Sequence, residues 1–265
     1  MISPSSSRVD TADGAEWLAV ADTITAADHV LTEAVLEKLI DLVRHLSRPP
    51  RAGEFLAPLG SDGDPVAVSG VCRAGICHAI GRDPGLGRWF SPAQHKGVDT
   101  VLVARSLCHR VGIRHRTVQL ILDHPTQPDY TLIQIRSLDK VDSPGTFDLP
   151  CAGHVVGTSA VDTALRKELN EELGLTEVDL AALAYVGEYE YRDTTSRADF
   201  MNVELRSVYR ARLRAERLRS IRFADGEVAA LAVFSLDTLH DLVSRAPERV
   251  ASGLLGALPW YCRQR

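Results

Sequence analysis

Gly153–Leu175 reads GHVVGTSAVDTALRKELNEELGL, and no other stretch of the chain says as much about its architecture. Its second half predicts a helix from about Ser159 to Leu173, with Gly174 placed as the stop. Glu168, Glu171 and Glu172 stand at i, i+3 and i+4, so three carboxylates project from one face. Val161, Leu165 and Leu169 make an apolar stripe on the other side. Crowded carboxylates repel one another unless cations neutralise them. One reading is a solvated acidic face, screened in part by Arg166 and Lys167. The other is a hard divalent ion, Mg²⁺ or Mn²⁺, held on oxygen and shared with substrate phosphates. The preceding loop favours the ion. Gly153 and Gly157 flank His154-Val-Val156, a turn that brings backbone close to whatever sits over the carboxylates.

Loop and helix together resemble the Nudix box, G-x5-E-x7-R-E-U-x-E-E-x-G-U, where U is a bulky aliphatic. Gly153, Glu168, Leu169, Glu171, Glu172, Gly174 and Leu175 fall at its positions without a gap. Two positions depart. Ser159 stands where the family has its first Glu, and Lys167 where it has Arg. In the family that pair braces the loop against the helix. Ser offers only a neutral oxygen and Lys cannot fork, so the brace is weaker here. The carboxylates that the resemblance assigns to the metal are intact.

The likeness extends over roughly residues 100–260 of a 265-residue chain, about one large domain's worth of sequence. His109-x2-Gly112-x2-His115-Arg116, Gln134-Ile-Arg136-Ser137-x2-Lys140, Pro144-Gly145, Asp148 and Ala152-Gly153-His154 are similar to the Nudix branch resembling isopentenyl diphosphate isomerase. Asn202-Val-Glu204 and Asp225-Gly-Glu227-Val228 continue the pattern. The resemblance implies a Nudix-type α/β/α sandwich with a mixed sheet over 98–265, behind a smaller, partly helical accessory region at 1–97.

It also frames the chemistry. The isomerase uses a Cys directly before Gly-His and a Glu-x-Glu on a later strand; here those places hold Ala152 and Asn202-x-Glu204. Cys151 is one residue off, and adjacent side chains of an extended chain point to opposite faces. The family's two isolated metal-binding His positions correspond at best to His115 and Cys108, with His109 one step away. Hydrolysis needs fewer groups. The resemblance implies Mg²⁺ or Mn²⁺ on Glu168, Glu171 and Glu172, with Glu168, Glu171 or Glu204 taking a proton from attacking water. Gly153, His154, His115, Arg116, Arg136 and Lys140 are then the candidates to hold a diphosphate, and Glu227 ranks below Glu204 as a ligand. A nucleoside di- or triphosphate is the first substrate expectation and an isoprenoid diphosphate the second. Isomerisation, and a catalytically weak ligand-binding protein that kept the pocket, are the alternatives.

Elsewhere in the chain, Thr117–Asp123, Tyr130–Ile135, Val203–Leu213 and Val228–Phe234 read as strands, and Leu236–Val243 and Glu248–Leu255 as closing helices. This order argues for an α/β sandwich rather than a bundle. The arginines from Arg206 to Arg222 read as a solvated strand face and hairpin, since only Tyr209 and Phe223 are there to stack on bases. Tyr185, Tyr189, Tyr191, Trp260 and Tyr261 read as core aromatics rather than pocket walls. Toward the front, Thr25-Ala-Ala-Asp28 resembles a capping box opening a helix, with Val35, Leu36, Leu39, Ile40, Val43 and Leu46 as its buried face and Pro49-Pro50 as its end. The first dozen residues read as a frayed tail, and 51–96 carry no clear pattern. Cys72-x4-Cys77-His78 lacks a second ligand pair at zinc spacing and reads as ordinary thiols. Residues 1–97 hold nine basic and twelve acidic side chains, unlike a DNA-binding module, and are expected to pack on the domain at 98–265 or to mediate a homodimer.

The whole chain, with 30 Lys+Arg against 35 Asp+Glu and a net charge of -5, has no field to hold nucleic acid. No apolar run approaches the ~20 residues of a membrane span, and MISPSSSRVD has no apolar signal region. The five Cys are therefore expected to stay reduced in a cytoplasm, with a small-molecule diphosphate as the partner.

Overall fold

The computed structural model describes residues 11–44, 53–140, 142–197, 200–224 and 226–262. The start at 1–10, the Pro49-Pro50 stop and Asp225 lie outside the described residues. The chain divides into two compact units: Met1–His115, Val156–Thr158 and Arg192–Glu204 form one, and Arg116–Val155, Ser159–Tyr191 and Leu205–Arg265 the other.

In the first unit, α1 (Thr11–Ala26) begins inside the stretch expected to fray, and α2 (Glu33–Arg44) follows it. The expected helix start at Thr25–Asp28 is instead a helix end. Asp28 and His29 have φ of 53° and 63°, the left-handed region, which a helix start cannot use. Asp28 pairs with Arg192 at 2.7 Å rather than capping, and Thr32 caps α2 by accepting the Val35 N–H at 3.3 Å. The helical spacing of Val35, Leu36, Leu39 and Val43 buries all four, as the periodicity predicts. The unpatterned stretch 51–96 supplies β1 (Phe55–Leu56), α3 (Gly70–Arg82) and β2 (Phe90–His95). With β3 (Val98–Ala104) they make a sheet of order β1-β3-β2. Lys96 and Gly97, at φ 50° and 81°, form the two-residue hairpin turn between β2 and β3. Helix α4 (Arg105–Val111) then stops at left-handed Gly112. One core joins Trp17, Leu36, Leu39, Phe90, Val101 and Leu107 across these elements.

The second unit is built on β4 (His115–Asp123, from Arg116 onward), β5 (Tyr130–Arg136), β6 (Phe147–Asp148), β7 (Cys151–His154), α5 (Val161–Leu173), β8 (Leu180–Arg197, as far as Tyr191), β9 (Phe200–Leu213, from Leu205 onward), β10 (Val228–Ser235), α6 (Leu236–Arg245) and α7 (Ser252–Cys262). The sheet order is β10-β5-β4-β9-β8, with β6 on β5 and β7 on β4. Neighbours β10, β5, β4 and β7 pair antiparallel. Strand β9 runs parallel to β4, because Arg116 meets Ser207 near one end and Asp123 meets Arg210 further along both strands. The sheet is therefore mixed. The period of two in β4 divides its faces: Val118, Leu120 and Leu122 pack with Leu165 and Leu169 of α5, while Ile121 packs with Leu239 of α6 and Leu254 of α7. Helices cover both faces, giving the α/β sandwich expected.

Two expectations are corrected. The last helix is not at 248–255; Pro247–Arg249 make a single tight turn and α7 begins at Ser252. Nor is the arginine face of β9 solvated along its length, although Arg212 near its end is exposed. Arg206 and Arg210 are buried, since alternate residues of a covered strand face the helices. Arg210 forks onto Asp123 at 2.8 and 3.0 Å, and Arg206 lies 3.8 Å over the Tyr191 ring. Arg214, Arg217, Arg219 and Arg222 are exposed, as read from sequence.

Candidate functional site

Helix α5 begins after Ala160 and ends as its sequence demands. Gly174, at φ 64°, donates to Asn170, and Leu175 donates back to Leu169. The carboxylates are not all on a wet face. Glu168 and Glu172 are buried beside the apolar stripe, and Glu171 is half-exposed. Both buried groups lean on β7, which is fixed by pairing with β4 (Gly153 opposite Val118, His154 opposite Thr117). The Ala152 N–H donates to Glu172 Oε2 at 3.1 Å. Glu168 lies so close to Gly153 that a Cβ there would overlap its carboxylate. Glycine at 153 is thus required by a side chain packed against backbone.

Charge explains the rest. Burial drives the Glu172 carboxyl well above the usual carboxylate range, Glu168 and Glu227 push the same way, and the Ala152 N–H and Lys140 oppose. Lys167 reaches Glu171 at 2.9 Å and Glu168 at 3.2 Å. Burial works against its ammonium, but the bonds to Glu171 and Glu168 outweigh this and raise it above the ordinary lysine range. Two buried carboxylates and a third at the rim make a set of hard oxygen donors that calls for a cation, which is what Mg²⁺ or Mn²⁺ would supply. By donor chemistry the set suits such an ion, with Lys167 bridging Glu168 and Glu171 in its place here.

The candidate phosphate-binding cations separate. Lys140 ion-pairs with Glu227, and both act on Glu172. Arg136 is tied down instead, to Asp148 at 3.0 Å and twice to the Asp142 carbonyl. Asp148 is itself pushed up by burial, against the pull of Arg136. Arg116 bridges Glu188 at 2.8 Å and Ser207 at 2.9 Å. His154 is half-buried at the end of β7. Cys151 is wholly buried in the α5 core, so its thiol faces away from Ala152's side, as alternation requires.

The first unit holds Glu204 and His115, and joins to them a residue that sequence reasoning set aside. His109, His115 and Glu204 each offer a ligand atom, all within 4.8 Å of one another. His115 is fully buried; its Nδ1–H donates to the Ile113 carbonyl at 2.8 Å, which turns Nε2 toward Glu204 Oε1 at 3.9 Å. His109 Nδ1 donates to the Met201 carbonyl at 3.3 Å, and its ring stacks on Phe200 and stands edge-on to His115. Burial holds His109 well below the usual histidine range, with His115 and Arg105 adding to this, against Met201 and Asn202. Neutral imidazoles with Nδ1 fixed on a carbonyl are the form in which His ligates metals. Cys108, the sequence alternative, is wholly buried and bonded to the Val103 carbonyl, its thiol pushed up by burial. The available signal was the His109-x5-His115 spacing across a helix end.

Among the described residues, no helix is long and apolar enough to cross a membrane. A profile of the NUDIX domain matches residues 113–260. "Nudix hydrolase 3" of Arabidopsis thaliana is 37% identical over 109 residues, which is 40% of this chain and only 13% of that protein's length. An isopentenyl-diphosphate Delta-isomerase of Dinoroseobacter shibae is 32% identical over 150 residues, 56% of this chain and 78% of the relative. The crystal structure of DR0079 from Deinococcus radiodurans aligns with a TM-score of 0.50 over 79% of this chain and all of that one, and at 15% identity it speaks for the fold alone. Seven box positions in register and a domain profile spanning more than half of the residues make this chain a member of the Nudix family.

Proposed function

We propose that this protein is a divalent-cation-dependent hydrolase that splits a diphosphate linkage in a small organic molecule. A nucleoside di- or triphosphate is the first substrate class and an isoprenoid diphosphate the second. The observation that supports this best is the seating of Glu168 against Gly153 and of Glu172 on the Ala152 N–H, beside half-exposed Glu171. Buried acids are disfavoured unless something cationic uses them. A divalent ion on Glu168, Glu171 and Glu172 would polarise a phosphate oxygen and ease deprotonation of a water. Glu171, the most accessible of the three, is suited to take that proton, with Glu168 and Glu204 as the other candidates. Lys140, with Gly153 and His154, is the group suited to the diphosphate. Arg136 and Arg116 serve there only by leaving Asp148 and Glu188, and His115 belongs with Glu204. A small-molecule partner, a cytoplasmic setting and a homodimer remain part of the proposal.

The test is phosphate release from a panel of organic diphosphates with and without Mg²⁺. Release that needs the ion and falls by about 10²–10³-fold in Glu171→Gln supports the reading. Tight binding without turnover would replace it with a ligand-binding role. A second reading, isomerisation of a C5 diphosphate, is favoured by the His109, His115 and Glu204 grouping and by the Dinoroseobacter relative. Ala152 and Asn202 stand against it, because neither can carry a proton to or from carbon. Rearrangement without phosphate release would establish it.

A further inference from the structure

The segment between His109 and His115 is held by residues far ahead of it in sequence. His29 is buried, and its Nδ1 lies 2.9 Å from the Gly112 carbonyl; a carbonyl only accepts, so Nδ1 carries the hydrogen. The His29 carbonyl in turn accepts the Arg114 N–H at 3.1 Å. The Arg114 carbonyl accepts the Leu59 N–H at 2.9 Å, and the Arg114 guanidinium binds the Gly60 carbonyl. Gly112 is pressed between His29 and Met201: a Cβ on it would come within 3.2 Å of both His29 Nδ1 and Met201 Sδ. Met201 is also the residue whose carbonyl orients His109. To reach Gly112, His29 keeps φ at 63°, directly after Asp28 at 53°. A non-glycine residue in that region is strained, and two in succession persist only where surrounding contacts impose them.

We propose that His29 is a positioning residue for a divalent-cation site formed by His109, His115 and Glu204: it fixes the Gly112 turn so that the two imidazoles face Glu204. This assigns a task to part of residues 1–97, and it depends on that cluster holding a cation, whichever reaction the protein performs. The imidazoles themselves are fixed at the Ile113 and Met201 carbonyls, and His29 holds the chain that presents those carbonyls. Removing such an outer support is expected to weaken metal binding by on the order of tenfold.

The test uses the full chain stripped with EDTA and titrated with Co²⁺, followed by its visible ligand-field absorption. The band position shifts when imidazole nitrogen replaces oxygen, and the part of the spectrum lost in His109→Ala is the part that belongs to this site. His29→Gly keeps the left-handed backbone and deletes the clamp; it should lower Co²⁺ affinity by about tenfold and alter the band. His29→Asn tolerates the same backbone and can still donate to Gly112, so it should restore both. Gly112→Ala attacks the contact from the other side and should reproduce the loss should His29→Gly fold poorly. A band and affinity unchanged in folded His29→Gly would overturn the proposal. So would Co²⁺ binding that is indifferent to His109→Ala in the parent chain. Neither result touches the glutamate helix, whose own test is phosphate release.

Discussion

The two candidate cation clusters of this protein are assembled by opposite means. In the second unit, Glu168, Glu171 and Glu172 come from five consecutive residues of one helix, and their crowding follows from 3.6 residues per turn. In the first, His109 and His115 lie on either side of a helix end, and Glu204 arrives from a strand about ninety positions later. Burial pushes the Glu172 carboxyl toward its protonated form. Burial likewise holds the His109 imidazole toward its neutral form. A local cluster can be read from spacing alone, whereas a distributed one exists only once turns and strands have placed its members.

The most severe challenge to this contrast is to disturb the backbone under the local cluster. Gly153→Ala inserts one methyl into the Glu168 carboxylate. Because β7 is pinned by pairing with β4, the strand cannot retreat and the glutamate must move. Overpacking of this kind costs about 1–3 kcal/mol, so a clear fall in melting temperature is expected. On the proposed function, phosphate release should drop more than the stability loss alone explains, because Glu168 would be displaced from the cation it is proposed to hold. A variant with parental turnover would show that Glu168 is dispensable at its observed position.

The same contrast explains what is legible in the sequence alone. The α5 helix, its Gly174 stop, the strands β4, β5, β9 and β10, and the three glutamates follow from periodicity and from one ungapped motif. The sequence is silent where partners are distant. Asp28 looks like a cap until Arg192 takes it, and Arg206 looks solvated until Tyr191 lies beneath it. His109 looks one step out of register when positions are counted along the chain rather than around α4. Helix geometry buries Cys108 in the core, while His109 is turned toward Phe200 and His115. Arg136 and Arg116 look like free phosphate ligands only while Asp148, Glu188 and Ser207 are out of view.

A smaller effect separates the units by the sign of their pH dependence. Glu172 is raised in the fold relative to an unfolded carboxylate. Its contribution to metal-free stability is complete at acid pH and is lost as pH rises through its elevated folded value. His109 is lowered relative to unfolded histidine, so its contribution is complete above the ordinary histidine range and is lost as pH falls through its depressed folded value. Melting of EDTA-treated protein should therefore lose part of its destabilisation on raising the pH in Glu172→Gln and part of its destabilisation on lowering the pH in His109→Gln. Added Mg²⁺ should flatten the first slope, because a cation on the carboxylates removes the penalty for ionising Glu172. Identical slopes in the parent and both variants would mean that neither group carries the linkage.

The smallest expected effect concerns the two departures from the family motif. Lys167 brings its charge to exposed Glu171 in an i,i+4 pair worth only a few tenths of a kcal/mol, and also touches buried Glu168. The double variant Ser159→Glu with Lys167→Arg would recreate a bidentate pair and draw that charge away from the ligands. Mg²⁺ should then bind at a modestly lower concentration, by about two- to threefold, with little change in melting temperature. Lys167→Arg alone should leave the affinity near its parental value, because an unbraced guanidinium stays on the same carboxylates. If the single and double variants shift Mg²⁺ affinity equally, the cation at 167 acts on the metal site by charge alone and the brace has no part in it.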